Sequence, residues 1–382
     1  MISGIPHRVR RWLLVGLMVL PGGLANCAFA EESMTGMAGM GGNSTGSDSQ
    51  FVLFASAEAA HYTGPTERDE LNEDAWGIGD FLAAINRDRF RFLAEFQLSN
   101  QEHDLERFQF GFEPVADTVI WIGRFHETAS AWNTEHHHGR YLQTSVTRPS
   151  AELWEDEQGI IPQHITGILV DSRRTAGEHA GLQLSAGAGF GVNVDNDGLE
   201  PVDLLDPHLD HRRLSVSGRV AFLPSYVGTS SFGLLLAHNE MPVITAAQQA
   251  LLHATLVKQD VIGLFANWDQ APWKLTSAIY DLQMQLDSLT TSRAEDAAVG
   301  YLQLERDLPH QLTAYAREEN SARAADSLYI VDNRPDFELQ RHTLGLRWDY
   351  WRHQALTMEV GRGKSPTRSE FEYRLQWSAA IP

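Results

Sequence analysis

The chain has 382 residues, with 30 Lys and Arg against 50 Asp and Glu, which gives a formal charge of −20. This acidic balance excludes most nucleic-acid binders, because they need a basic face. The longest apolar run, Trp12 to Leu20, is shorter than the roughly 20 residues of a membrane-spanning helix. Two classes remain, a soluble secreted protein and an outer-membrane β-barrel.

Residues 1-30 have the pattern of a secretory signal peptide. Three Arg side chains precede the short apolar core Leu13 to Leu20, and Ala28-Phe29-Ala30 fits the small-x-small rule for cleavage. An uncleaved anchor is disfavoured because the core is so short. Cleavage removes three Arg and no acid, so the mature charge becomes 27 − 50 = −23. It also removes Cys27, the single cysteine, and with it any disulfide or thiolate metal site.

Residues 31-50 are rich in Gly, Ser, Met and Thr and are expected to form a flexible linker. Met34, Met37 and Met40 recur every three residues. Thioether sulfurs suit Cu(I), so a copper-binding tail is one hypothesis. A linker without a metal function is favoured, because no nearby His completes the site.

From residue 51 onward, apolar and polar residues alternate with period two, as in half-buried strands. The apolar faces are assigned to lipid and the polar faces to a lumen, including Tyr280, Leu282, Met284 and Leu286 on the lipid side. A soluble sandwich is the alternative, but strands of about ten residues match a tilted membrane crossing better. The nearest helical candidate is 246-256, which could form one short helix in a loop. The clearest alternating segments are 89-98, 107-113, 182-190, 214-222, 280-286, 341-350 and 371-377.

The connections between these segments alternate between short and long. Seven short turns and eight longer loops predict sixteen strands, with both chain ends on the short-turn side. Short periplasmic turns and long external loops are the layout of bacterial outer-membrane barrels. We therefore predict an all-β fold, a transmembrane antiparallel β-barrel of about 16 strands over residues 51-382. The predicted short turns are 86-88, 113-117, 172-178, 224-229, 269-272, 307-310 and 350-353.

The tryptophans support this prediction. Indole rings prefer the membrane-water interface, where the ring is apolar and the N–H is wet. Six tryptophans lie at strand ends by the short turns or the chain end, or close to one: Trp121, Trp268, Trp273, Trp348, Trp351 and Trp377.

The signal, the alternating strands, the Arg-bearing inner faces and the aromatic last strand resemble Gram-negative outer-membrane porins of the sixteen-strand type. The phosphate-selective porins are the nearest relatives by pattern, although this chain carries only Lys258, Lys274 and Lys364 and ends at Pro382 without a terminal Phe. The resemblance implies a non-enzymatic channel without a cofactor, in outer-membrane lipid, for passive diffusion of small hydrophilic solutes or ions. It further implies a homotrimer, and a third external loop, 127-163, that folds into the pore.

Charged residues on the polar faces are expected to line the pore. The Arg side chains would attract anions and the Glu side chains would pair with some of them, which predicts a lumen of mixed charge. The predicted pore-lining residues are Arg91, Glu95, Arg107, Glu113, Arg219, Arg317, Arg341, Arg347, Glu372 and Arg374.

Two loops carry candidate ligands. Loop 127-163 contains His136, His137 and His138, which could bind copper or zinc, although three consecutive His cannot face one point on an extended chain. A solvated loop is the favoured alternative. Loop 191-213 is strongly acidic; it could bind a divalent cation, but a hydrated surface loop is favoured.

Two other functions stay open at this stage. One is a non-conducting barrel that binds copper, zinc or a partner through the Met and His clusters. The other is a barrel hydrolase, for which the sequence offers no placed nucleophile. Planar-bilayer recording separates the channel from both.

Overall fold

The computed structural model describes residues 47–63, 73–99, 103–136, 139–155, 159–196, 198–202 and 211–382. Sixteen strands form one closed barrel, and the short β8 and β9 pair separately. The strands are β1 Ser47–Thr63, β2 Glu73–Arg87, β3 Phe90–Ser99, β4 His103–Val115, β5 Thr118–His126, β6 His164–Ala176, β7 Ala180–Phe190, β8 Val192–Val194, β9 Leu199–Pro201, β10 Leu214–Leu223, β11 Ser231–Pro242, β12 Leu256–Gln270, β13 Trp273–Asp287, β14 Ser292–Leu308, β15 Leu312–Ala322, β16 Gln340–Trp351, β17 Gln354–Lys364 and β18 Ser369–Ile381.

The barrel closes where the first and last strands meet. β1 pairs with β18 in antiparallel register, with Ala59 opposite Leu375. Closure gives every strand two neighbours, so no row of backbone groups is left at an edge. The predicted sixteen-stranded antiparallel barrel is confirmed. Its first strand begins at Ser47, four residues inside the range 31-50 assigned to the linker.

Short turns and long loops alternate as predicted. The turn residues Asp88 and Asp117 adopt φ of 54° and 59°, a left-handed conformation that Asp tolerates better than most residues. The helix Ala246–Leu252 confirms the predicted short helix in a loop. Within the described ranges, no helix has the length and hydropathy to cross a bilayer. The long connections are L1 (64–72), L2 (100–102), L3 (127–163), L4 (191–213), L5 (243–255), L6 (288–291), L7 (323–339) and L8 (365–368).

An apolar belt faces outward around the barrel. Phe90, Phe110 and Leu344 expose 66%, 57% and 65% of their side-chain surface. Of the six tryptophans placed at the interface, five are exposed or half-buried near the short turns. Trp121 is the exception. It is 6% exposed and faces inward, so its interfacial placement is wrong.

The segment 280-286 also has the opposite orientation from the one predicted. Tyr280 and Leu282 are fully buried on the inner wall, while Gln283 and Gln285 are exposed outside. The alternation is correct, but the apolar face looks inward because a loop inside the barrel packs against it. Period two separates two faces without saying which of them meets lipid.

Candidate functional site

L3 lies inside the barrel, as the resemblance to porins implied. Its two ends meet at the wall, where the Glu127 amide donates to the Gln163 carbonyl oxygen at 2.7 Å. Its middle crosses the interior: Gly139 packs beside Phe54 of β1, and the Val146 amide donates to Glu359 of β17 at 2.9 Å. The loop therefore contacts walls on both sides of the lumen.

One half of the inner wall is apolar and holds L3 by burial. The L3 residues Trp132, Ile160 and Ile161 are 0–1% exposed and belong to one buried cluster. The strands β11 to β14 complete that cluster, with Val261 and Phe265 among its members. Complete burial of an aliphatic or aromatic side chain contributes about 1.5–3 kcal/mol, so this contact anchors the loop on one side.

The opposite half holds L3 by hydrogen bonds. Arg317 of β15 donates to the Thr147 carbonyl oxygen at 2.8 Å and to its hydroxyl at 2.7 Å. Glu359 accepts from the same hydroxyl at 2.5 Å, and Glu319 accepts from the Ser150 amide at 2.6 Å. Charged side chains of the wall thus bind the backbone of the loop directly.

Glu152 fastens L3 from within. Its carboxylate accepts from the Trp132 amide at 2.9 Å and the Tyr301 hydroxyl at 3.0 Å, and also from the hydroxyls of Ser130 and Tyr280. Burial raises the pKa of Glu152 even though these hydrogen bonds oppose the shift. The loop and two strands of the wall therefore share one buried acid.

All ten residues predicted to line the pore lie on the inner wall. Eight of them are at most 8% exposed, while Glu113 and Arg374 are half-buried. Because each Arg is matched by nearby acids, the wall offers anions little uncompensated positive charge. The pairs are Arg91 with Glu113, Arg107 with Glu95 at 2.6 Å, Arg219 with Glu135 at 2.7 Å, Arg317 with Glu319 at 2.8 Å, Arg341 with Glu372 at 3.0 Å, Arg347 with Asp349 at 2.7 Å and Arg374 with Glu58 at 2.7 Å.

The sequence analysis missed three acids of the inner wall. Glu58 and Asp80 lie on β1 and β2, where small residues on both faces hide the alternation. Glu106 is missed for another reason. A bulge opposite Glu95 and Phe96 turns Glu106 and the adjacent Arg107 inward together, at 5% and 7% exposure.

A histidine joins L3 to the wall at its base. His164 Nδ1 lies 3.0 Å from Glu155 of L3, and its Nε2 lies 3.3 Å from Glu106 of β4. Glu155 also accepts from the Gln163 amide at 2.6 Å. Burial acts to raise the pKa of Glu155, but the charge of His164 and these hydrogen bonds outweigh it and lower the pKa.

Glu127, at the start of L3, is fully buried and accepts from Asn239 at 3.4 Å. Burial raises its pKa to about 8. The folded state then binds one more proton than the unfolded state between pH 4.5 and about 8, so stability falls as pH rises through this window. We expect Glu127→Gln to match the parent at pH 5 and to exceed it by several kcal/mol above pH 8, since one pKa unit corresponds to about 1.4 kcal/mol.

Urea unfolding of the protein in lipid vesicles at pH 5, 7 and 9 measures this difference. Glu135→Gln is the control, because Glu135 is half-buried and paired with Arg219. Parallel stability curves for the parent and Glu127→Gln across the whole range would contradict a protonated Glu127.

The structure describes only one of the six predicted metal ligands. The His136 ring stacks on Trp132 at 4.4 Å, and burial lowers its pKa. The other five, His137, His138, Met34, Met37 and Met40, lie outside the described residues. Within the described ranges, no three His, Cys, Asp or Glu side chains form a metal-binding group. Copper or zinc binding stays a prediction, which metal titration of a variant lacking all six side chains tests.

No protein-family model matches the chain, and no curated protein matches it. Solved structures do match. The anion-selective porin from Comamonas acidovorans has a TM-score of 0.57 at 12% identity, covering 88% of this chain and 100% of that one. OmpT of Vibrio cholerae has a TM-score of 0.55 at 8% identity, covering 89% and 99%. OmpF of Salmonella typhi, in complex with daunomycin, has 0.55 at 9%, covering 88% and 98%. The chain therefore has the fold of the sixteen-stranded outer-membrane porins.

Proposed function

We propose that this protein is a porin-like channel of the Gram-negative outer membrane, through which small hydrophilic solutes or ions diffuse passively. The observation that carries the proposal is a long loop lying inside a closed barrel with an apolar exterior. Such an exterior is stable in lipid, and such a loop sets the width and charge of the passage. The proposal includes no catalytic step and no cofactor.

The location follows from the same surface. Exposed Phe, Leu, Ile and Trp side chains encircle the barrel, and in water they would form an apolar surface far larger than monomeric soluble proteins carry. Export through a cleaved signal, embedding in outer-membrane lipid and assembly as a homotrimer stay predictions. Recovery of the processed chain in the outer-membrane fraction, and its cross-linking there, test them.

Planar-bilayer recording tests the function. We expect purified, folded protein to produce discrete conductance steps, because a barrel inserts as a unit of defined passage. Heat-modifiable gel mobility, which reports an intact barrel, must accompany the recording. Intact barrels that insert into the bilayer and yield no steps would overturn the channel proposal.

A further inference from the structure

We infer that the loop-side mouth of the barrel holds a binding site for small organic cations with two or more ammonium groups. This inference rests on the proposed function, since it names the class of solute that the channel takes up. It is carried by an acidic cavity at the mouth and by buried carboxylates of the wall near it.

The cavity has a volume of about 500 Å³. That size lies within the usual range for small-molecule sites. Five carboxylates line it and no Lys or Arg does, so its walls favour positive charge. The lining residues are His103, Asp104, Glu106, Glu155, His164, Asp195, Gly198, Leu199, Glu200 and Pro201.

Packed loops cover the other half of the mouth. The Ile244 amide of L5 donates to the Val194 carbonyl oxygen of L4 at 2.9 Å. From L7, the Tyr329 hydroxyl donates to the Ile160 carbonyl oxygen of L3 at 3.1 Å, and Arg334 donates to that of Gly159 at 3.0 Å. This cover directs an approaching solute toward the acidic side.

Buried acids on the wall near the cavity await a positive charge. Asp80 is 1% exposed, and its Oδ1 accepts no hydrogen bond from the described residues. The charges that act on it include the like charges of Glu95 and Glu106, and Glu106 also lines the cavity. Arg140 and Arg148 of L3 offset them in part. A buried carboxylate without a full set of partners is costly, and a bound cation would relieve that cost.

The arrangement suits an extended organic cation better than a metal ion or an anion. Within the described residues no three acidic or His side chains converge as metal ligands, so the carboxylates are spread around the cavity. The nearby positive groups are few: Arg124 lies 3.7 Å from Asp104 at the rim, and His164 lies between two acids at the base. A cleft lined by one sign of charge concentrates ions of the opposite sign.

The test uses 1,4-diaminobutane as the probe and the full folded chain in detergent, with titration calorimetry at about 50 mM salt to limit screening. Neutralising the rim with Asp104→Asn, Asp195→Asn and Glu200→Gln together is expected to weaken binding at least tenfold. The rim is chosen because Glu106 and Glu155 also hold L3. The matched control neutralises Asp260, Asp281 and Asp296, three exposed acids on the outer face of β12 to β14, and is expected to bind as the parent does.

Bilayer recording adds a second readout. We expect a reversal potential that indicates cation preference, and block by external diaminobutane that the rim variant loses. Equal binding by the parent and the rim variant, or steps with anion preference, would overturn the site and leave the channel standing. Absence of steps together with rim-dependent binding would instead overturn the channel and its transport role while supporting the site.

Discussion

Replacing residues 139–149 of L3 by a four-residue Gly-Ser linker is expected to raise single-channel conductance at least twofold. These residues carry the loop across the interior, from the contact beside Phe54 on β1 to Thr147, which Arg317 and Glu359 hold. Removing them widens the passage, and the conductance of a narrow pore is set by its narrowest section. The segments that pack on the apolar wall, around Trp132 and Ile160, remain in place.

The control shortens a loop that lies outside the barrel interior. L6 consists of residues 288–291, so an Asn-Gly turn can replace it while β13 and β14 keep their pairing. We expect the L6 variant to conduct like the parent. If the L3 variant forms an intact, heat-modifiable barrel and its step size is unchanged, L3 does not limit the current.

Arg317→Met is expected to release the middle of L3 from the wall. The Arg317 side chain is completely buried, pairs with Glu319 at 2.8 Å and donates to the Ser145 hydroxyl at 3.1 Å as well as to Thr147. Removing one partner of a buried ion pair costs roughly 3–5 kcal/mol, because the other charge is left uncompensated. Trypsin added to folded protein should then cleave after Arg140 and Arg148, which mass spectrometry of the fragments detects.

Arg306→Met is the matched control for this variant. Arg306 is exposed on the outer face of β14, where it stacks on Trp273 at 5.0 Å and touches no part of L3. Its loss is expected to leave L3 as resistant to trypsin as it is in the parent. Resistance of the Arg317→Met variant would mean that burial of the apolar half is sufficient to hold the loop.

The architecture could be predicted from the chain itself. Period-two alternation and regular turns are local properties, and a sixteen-stranded barrel repeats one local arrangement around a closed sheet. The aromatic last strand shows this: Phe371, Tyr373 and Leu375 face outward while Glu372 faces inward, as the alternation indicated. The short turns and the loop helix at 246–252 follow from equally local signals.

The contents of the barrel depended on contacts between residues far apart in the chain. Tyr280 faces inward because it donates to Glu152 of L3, 128 positions away, and no local pattern carries that information. Arg317 was predicted to line a pore, and it lies on the inner wall, but its charge is taken up by Glu319 and by the backbone of L3.

Local alternation therefore sets how many strands there are and where each one turns, since it depends only on neighbours along the chain. Which face meets lipid, and which charges stay available to a solute, depends on where L3 lies. That position is decided by burial of Trp132 and Ile160 against one wall and by the ion-paired groups of the other. Such long-range contacts form only when the barrel is closed, so they exist in the folded structure alone.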